Sequence, residues 1–140
     1  MDIQIKYDCT DINWQVVTKT LKDVGMAYFD NDTHQKAFEN SYVTVFIYTD
    51  NQLIGFGRAL SDGAYQAAIY DVAVIPEYQG MGLGKTLMDA LMEKLSGCNV
   101  ILYAAPGKEN FYAKQKFRKM KTGMAAFINA NAMKEKGFTI

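Results

Sequence analysis

Ala68-Ala-Ile-Tyr-Asp-Val-Ala-Val-Ile75, closed by Pro76 and followed by Gln79-Gly80-Met81-Gly82-Leu83-Gly84-Lys85, decides how this chain folds. The first segment has the β-branched and aromatic content of a strand, and Pro76 ends its pairing. Beyond the glycines, Leu83, Leu87, Leu91 and Leu95 recur every four residues, with Met88 and Met92 in an adjacent row. That spacing is the apolar stripe of an amphipathic helix. Strand, glycine-rich turn and helix therefore follow one another directly. Such a turn aims consecutive backbone N–H groups, at the positive end of a helix, toward an anion in front of it. The glycines remove side chains that would block close approach. A pyrophosphate is the expected ligand.

Two phosphate-loop patterns fail here. A Walker A loop ends in Gly-Lys-Ser/Thr, which Gly84-Lys85-Thr86 supplies, but its first glycine falls on Gln79. The dinucleotide pattern Gly-x-Gly-x-x-Gly needs a third glycine where Lys85 or Leu87 stands. A nucleotide-binding protein is thereby disfavoured. What remains is Gln79-x-x-Gly82-x-Gly84, preceded by Val72-Ala-Val-x-Pro-x-Tyr-Gln79.

The rest of the composition narrows the class. The 140 residues suffice for one domain with a real core, and 49% of them are hydrophobic. Lys plus Arg equals Asp plus Glu at 15 each, so nothing electrostatic favours nucleic acid or a membrane surface as partner. No apolar run approaches the ~20 residues of a bilayer span, and Met1-Asp-Ile-Gln-Ile-Lys6 has no signal-peptide character. Cys9 and Cys98 lack metal-ligand spacing and read as reduced thiols, so the cytoplasm is the expected compartment. With His34 as the only histidine, a Ser-His-Asp or Cys-His hydrolase and a histidine metal site are disfavoured. No metal is expected.

Read in order, the chain predicts a first strand over Asp2 to Tyr7. A helix capped by Thr10 or Asp11 follows, running to Val24 with Trp14, Val17 and Leu21 on one face, and a short helix opens at Thr33 and ends near Asn40. Trp14, Tyr28 and Phe29 are either core or the wall of a substrate pocket. Tyr42 to Thr49 and Leu53 to Leu60 read as a hairpin turning at Asp50-Asn51, and Asp62-Gly63 turns into the Ala68–Ile75 strand. Ser96-Gly97 stops the long helix. Asn99 to Ala104 is then expected as a buried strand, Lys108 to Lys116 as a short helix, and Lys119–Ile128 as one or two closing strands.

This order of elements resembles the GNAT superfamily of N-acetyltransferases over nearly the whole chain, and Gln79-x-x-Gly82-x-Gly84 resembles that family's acetyl-CoA loop. Asn110-Phe111-Tyr112-Ala113-Lys114-Gln115-Lys116-Phe117 resembles its Phe-Tyr-x-Lys-x-Gly-Phe signature, with Lys116 where glycine is usual. That substitution suggests a helix end without a left-handed glycine. Gly55-Phe-Gly-Arg58, Asp62-Gly63 and Thr122-Gly123-Met124 also resemble small bacterial members. The resemblance implies an α/β fold in one domain, residues 1–140, with a mixed, mostly antiparallel central sheet flanked by helices. It leaves open whether the chain forms a homodimer.

The resemblance also implies a reaction: a small-molecule primary amine attacks the thioester of acetyl-CoA directly, without an acyl-enzyme. Val72, Ala73 and Val74 match the strand positions whose backbone holds the acetyl-CoA arm, so proximity lowers the barrier. The N–H matching Val74 polarises the acetyl carbonyl. Gln79, Gly80, Met81, Gly82, Leu83, Gly84 and Lys85 match the pyrophosphate loop. At Lys85 the backbone N–H is the expected contact, because its ammonium is also spaced to pair with Asp89. Tyr112 matches the general acid for the departing thiolate, a phenol of pKa ~10 against a thiol near ~8.5.

The base is not visible. An alkyl amine of pKa ~10.4 is almost fully charged at neutral pH and must lose a proton. If side chains alternate, Ala68, Tyr70, Val72 and Val74 share one side without a carboxylate, and Asp71 faces away, where Arg58 can pair with it. Asp62 and Glu77 are further candidates. The missing base keeps a second reading open, a catalytically silent acyl-CoA-binding sensor on the same fold.

Overall fold

A computed structural model describes residues 1–140. The elements run β1 (Gln4–Lys6), α1 (Trp14–Asp23), α2 (Asn31–Glu39), β2 (Val43–Thr49), β3 (Gln52–Ser61), β4 (Gln66–Val74), α3 (Leu83–Lys94), β5 (Asn99–Ile101), α4 (Glu109–Ala113) and α5 (Ala130–Glu135). The five strands form one sheet in the order β1-β2-β3-β4-β5, antiparallel except for the β4–β5 pair. The expected mixed, mostly antiparallel sheet with flanking helices is present. The chain divides into two compact units, Met1–Leu102 and Tyr103–Ile140.

In the first unit the helices begin where a side chain can satisfy their free N–H groups. Asp11 adopts a left-handed φ of 57°, which cannot open a right-handed helix, so α1 starts at Trp14 with Asn13 accepting from the Gln15 N–H. Thr10 bonds back to Asp8 instead of capping. Asp30 caps α2 by accepting from the Thr33 N–H at 2.8 Å, which moves that helix's start to Asn31. Gly25, at φ 80°, ends α1, and the Met26 N–H returns to the Leu21 carbonyl. The hairpin turns at Asp50-Asn51, both left-handed, between the paired Thr49 and Gln52.

The sheet carries helices on both faces. On one face α1 and α2 bring Trp14, Val17, Leu21 and Phe38 onto Phe46, Phe56 and Ala73. Phe38 lies 5.6 Å from Phe46 and 5.9 Å from Phe56 between ring centroids, and Trp14 meets Phe38 and Phe46 at 5.6 and 6.1 Å. Trp14 therefore belongs to the core, whereas Tyr28 and Phe29 stay exposed. On the other face α3 lays Leu87, Met88 and Leu91, all fully buried, over β2, β3 and β4. Gly55 and Gly57 make that approach possible. A Cβ at Gly57 would stand 3.1 Å from Leu91 Cδ1 and 3.2 Å from Val72 Cγ2.

Two sequence expectations fail. The strand expected over Asn99–Ala104 is three residues long and largely exposed, not buried. Its partner β4 is paired with it only through Ala68, just before an irregularity that bends β4. Lys119–Ile128 forms no strand. This segment has few β-branched residues, and Met124 and Ile128 are fully exposed, so no buried face fixes a register.

Candidate active site

β4 is where the expected chemistry meets the geometry. It pairs with β5 only at Gln66, Ala67 and Ala68, so the segment Val72 to Val74 has no strand partner on that side. On the other side, Arg58 pairs with Tyr70 and Phe56 with Ala73, which leaves Gly57 opposite two residues, Asp71 and Val72. This is a β-bulge, with Asp71 at φ 58°. The extra residue breaks the simple alternation read from the sequence. Val72 and Val74 lie against Gly57 and Gly55 under α3. Asp71 instead joins Tyr70 on the α1–α2 face, where its Oδ2 accepts from Arg58 Nε at 2.7 Å. The Arg58 pairing was expected; the shared face was not.

The strand leads into the glycine turn. The Ile75 N–H bonds to the Ile54 carbonyl, and Pro76–Tyr78 makes one 3-10 turn. Gln79 folds its amide back, Nε2 donating to the Val74 carbonyl at 3.1 Å, and so ties the turn to the strand end. Gly80 and Gly82 take φ values of 80° and 79°, and a Cβ at either would meet nothing within 4 Å. Glycine is required there by backbone conformation rather than by crowding.

Gly82 is the N-cap of α3, and no side chain caps that end, in contrast to α1, α2 and α5. The first helical bond is Thr86 N–H to the Gly82 carbonyl, so the N–H groups of Leu83, Gly84 and Lys85 are those an α-helix leaves without an internal partner. Met81 is exposed and Leu83 is buried, which anchors the turn from below. Lys85 Nζ pairs with Asp89 at 2.6 Å on the helix surface. Its ammonium is engaged there, leaving the backbone N–H as its contribution to the turn.

Tyr112 lies in the second unit, in α4. Its ring packs edge-on against Phe111 and Phe117, at 5.0 and 6.1 Å between centroids. Burial pushes its phenol pKa up, so it stays protonated at neutral pH. Beyond the helix end Lys116 takes a left-handed φ of 71°, and the Phe117 N–H returns to the Tyr112 carbonyl. No glycine closes this helix end, as the sequence implied; lysine itself holds the left-handed position.

The other candidate bases fare unequally. The Asp62 carboxylate accepts from the N–H groups of Ala64, Tyr65 and Gln66, which hold its pKa below the usual carboxylate value and commit it to a turn. Glu77 lines a cavity of about 240 Å³ with Val16, Lys19 and Asp23 of α1 and with Leu53, Ile75 and Pro76. His34, passed over in the sequence as a catalytic group, is buried on α2, and its Nε2 accepts from the Phe29 N–H at 2.8 Å. Burial pushes its pKa down. Nothing in the sequence marks that role, because it depends on how the α1–α2 connection folds back. No three His, Cys, Asp or Glu side chains lie together as a metal site.

The acetyltransferase (GNAT) family matches residues 7–120, a span that holds this strand edge, glycine turn and helix start. The chain belongs to that family. It is 37% identical over 111 residues to an uncharacterized N-acetyltransferase, ycf52, of Gracilaria tenuistipitata var. liui, covering 74% of this chain and 54% of that protein. The chain thus spans about half the length of that curated relative. Relatives matched over shorter stretches include proteins named chloroplastic.

Among solved structures, a Staphylococcus aureus protein of unknown function superposes with a TM-score of 0.80 at 25% identity, over 91% of this chain and 98% of that one. Arabidopsis thaliana Naa50, in complex with the bisubstrate analogue CoA-Ac-MVNAL, gives a TM-score of 0.72 at 18% identity, over 92% and 91%. At that identity the likeness is one of fold. No helix is long and apolar enough to cross a membrane.

Proposed function

We propose that this protein is an acetyl-CoA-dependent N-acetyltransferase acting on a primary amine of a small molecule. One observation carries the reading: the unpartnered edge of β4 runs directly into a turn where left-handed Gly80 and Gly82 present the start of α3 without a side-chain cap. In this reading the pantetheine arm lies along Val72, Ala73 and Val74, and the Val74 N–H faces the acetyl carbonyl. The pyrophosphate sits before the backbone of Gln79, Gly80, Met81, Gly82, Leu83, Gly84 and Lys85. The CoA-analogue complex of Naa50, a structure of the same fold, supports acyl-CoA as co-substrate.

The neutral amine nitrogen attacks the thioester carbon, the C–S bond breaks, and the thiolate takes a proton from Tyr112, which is protonated at neutral pH. The acylated nitrogen gives its proton to solvent, and the Tyr112 phenolate is reprotonated from solvent. Residues 1–140 are read as one functional domain, since the family match runs through the boundary at Leu102. With both cysteines free thiols, the cytoplasm is the proposed compartment. No metal, nucleic acid or membrane enters the scheme, and a homodimer is left to sedimentation analysis.

The test is CoA-thiol release with acetyl-CoA and a panel of amines. Turnover that falls on Tyr112→Phe supports the reading. A silent acyl-CoA sensor is the rival, favoured by the engagement of Asp71 with Arg58 and of Asp62 with its turn. Acetyl-CoA binding without turnover on any amine would establish that rival.

A further inference from the structure

Arg58 is held from both sides of its strand pair. Its Nε donates to Asp71 at 2.7 Å, and one terminal nitrogen reaches Ser41 Oγ at 3.4 Å. Its guanidinium carbon lies 5.7 Å from the Phe38 ring centroid and 5.5 Å from that of Tyr70. The ion pair is mostly shielded, the two side chains being 16% and 20% exposed. Contacts from α2, from Ser41 two residues beyond it and from β4 therefore meet on one planar cation, a geometry that suits arginine and not lysine.

What this cation grips is the irregular point of β4. Asp71 is the residue that turns left-handed in the bulge, a conformation costly for L-residues and least so for Asp and Asn. From the opposite face Val72 presses onto Gly57, where an added Cβ would stand 3.2 Å from Val72 Cγ2. The bulge is thus fixed from above by an ion pair and from below by a glycine contact. A bulge re-aims the strand that carries it. Here the re-aimed strand is the segment from Val72 to Val74, which has no partner on its β5 side.

We propose that Arg58 is a positioning residue: by clamping Asp71 in the left-handed bulge, it aims the open Val72–Val74 edge so that a bound thioester carbonyl meets its backbone donor. This rests on the acetyltransferase reading for the identity of the bound group, but not for the clamp. Arg58 acts through Asp71 and touches no reacting atom. The role assigned to Asp71 is conformational, so its charge as such is dispensable while its hydrogen bond and its left-handed backbone are not.

The experiment combines amide hydrogen exchange of the ligand-free protein with steady-state kinetics of Arg58→Met, Arg58→Lys, Asp71→Ala and Asp71→Asn. Arg58→Met and Asp71→Ala are expected to speed exchange at Ala73, paired with Phe56 beside the bulge, by ten-fold or more while distant core amides are unchanged. They are expected to lower kcat by about 10- to 100-fold, as misplacement of a reacting group does. The acetyl-CoA dissociation constant should change little, because the glycine turn still holds the pyrophosphate. Asp71→Asn, which accepts from Arg58 and tolerates the left-handed region, should retain most of the activity, and Arg58→Lys should not.

Unchanged exchange at Ala73 in Arg58→Met overturns the clamp. So does a loss in Asp71→Asn as large as in Asp71→Ala, which would make the carboxylate itself a proton acceptor. If the parent neither binds nor turns over acetyl-CoA, the functional reading fails. The exchange data then still decide the clamp.

Discussion

Every buried hydrophobic side chain of the protein lies between Ile12 and Leu95, whereas residues 103–140 contain none. The first unit is organised by a sheet covered on both faces, with Phe38, Phe46 and Phe56 on one side and Leu87, Met88 and Leu91 on the other. The second is organised by Tyr103, Phe127 and Phe138, rings 5.5 to 6.5 Å apart that all remain partly exposed, and by two short helices. The proposed cofactor turn stands on buried Leu83 and Leu87 in the first unit, and Tyr112 packs with Phe111 and Phe117 in the second. Binding is thereby assigned to the part with the deeper core, and proton donation to the part with the shallower one.

This contrast is open to test, the largest effect first. Phe46→Ala is expected to cost about 3–5 kcal/mol in urea denaturation, as for other buried aromatics. Phe127→Ala, removing partly exposed ring contacts, should cost about 1 kcal/mol. Equal losses would erase the distinction between the units. Gly57→Val should cost about 1–3 kcal/mol by forcing a side chain against Leu91 and Val72.

In the second unit the sign should reverse at one position. Lys116→Gly is expected to stabilise by about 1 kcal/mol, because glycine takes φ 71° without the penalty lysine carries. Circular dichroism melts of that variant would show a higher midpoint.

The smallest expected effect is a pH dependence located in the first unit. Burial holds the His34 imidazole below its ordinary pKa, so the folded chain binds fewer protons there than the unfolded one. Its contribution to stability is complete above the unfolded value of about 6.5 and is lost as pH falls through the lowered folded value. Protonation would also set an N–H against the Phe29 N–H and a cation near Arg58, with Asp30 and Asp71 partly offsetting it. His34→Gln should flatten the dependence of the urea midpoint between pH 7.5 and 5. An unchanged slope would remove His34 from the explanation.

What could be read from the letters follows the same division. Leu83, Leu87 and Leu91 announced α3 because a four-residue apolar spacing has one periodicity and one meaning. Asp50-Asn51 announced its hairpin because few residue pairs accept two left-handed positions. The bulge at Asp71 was hidden, since it arises from how Gly57, Arg58 and Val72 meet across two strands. One inserted residue was enough to put Tyr70 on the face of Asp71, away from Val72 and Val74. In the second unit, Lys119–Ile128 has apolar letters without a buried face to select a strand register, and it forms none. Helix starts shifted by a few residues for a local reason, namely which of several Asp and Asn side chains met a free N–H.

The most direct measurement is thermal denaturation of the parent and of Gly82→Val, each with acetyl-CoA, CoA, ATP or NAD in excess. At a concentration ~100 times the dissociation constant, a ligand adds about 2.7 kcal/mol to the folded state, a readily visible shift in Tm. The expected result is a shift of the parent with acetyl-CoA and CoA alone, lost in Gly82→Val because valine cannot hold φ 79° at the start of α3. A shift with ATP or NAD instead, or none with acetyl-CoA, would contradict the assignment of the glycine turn and the function built on it.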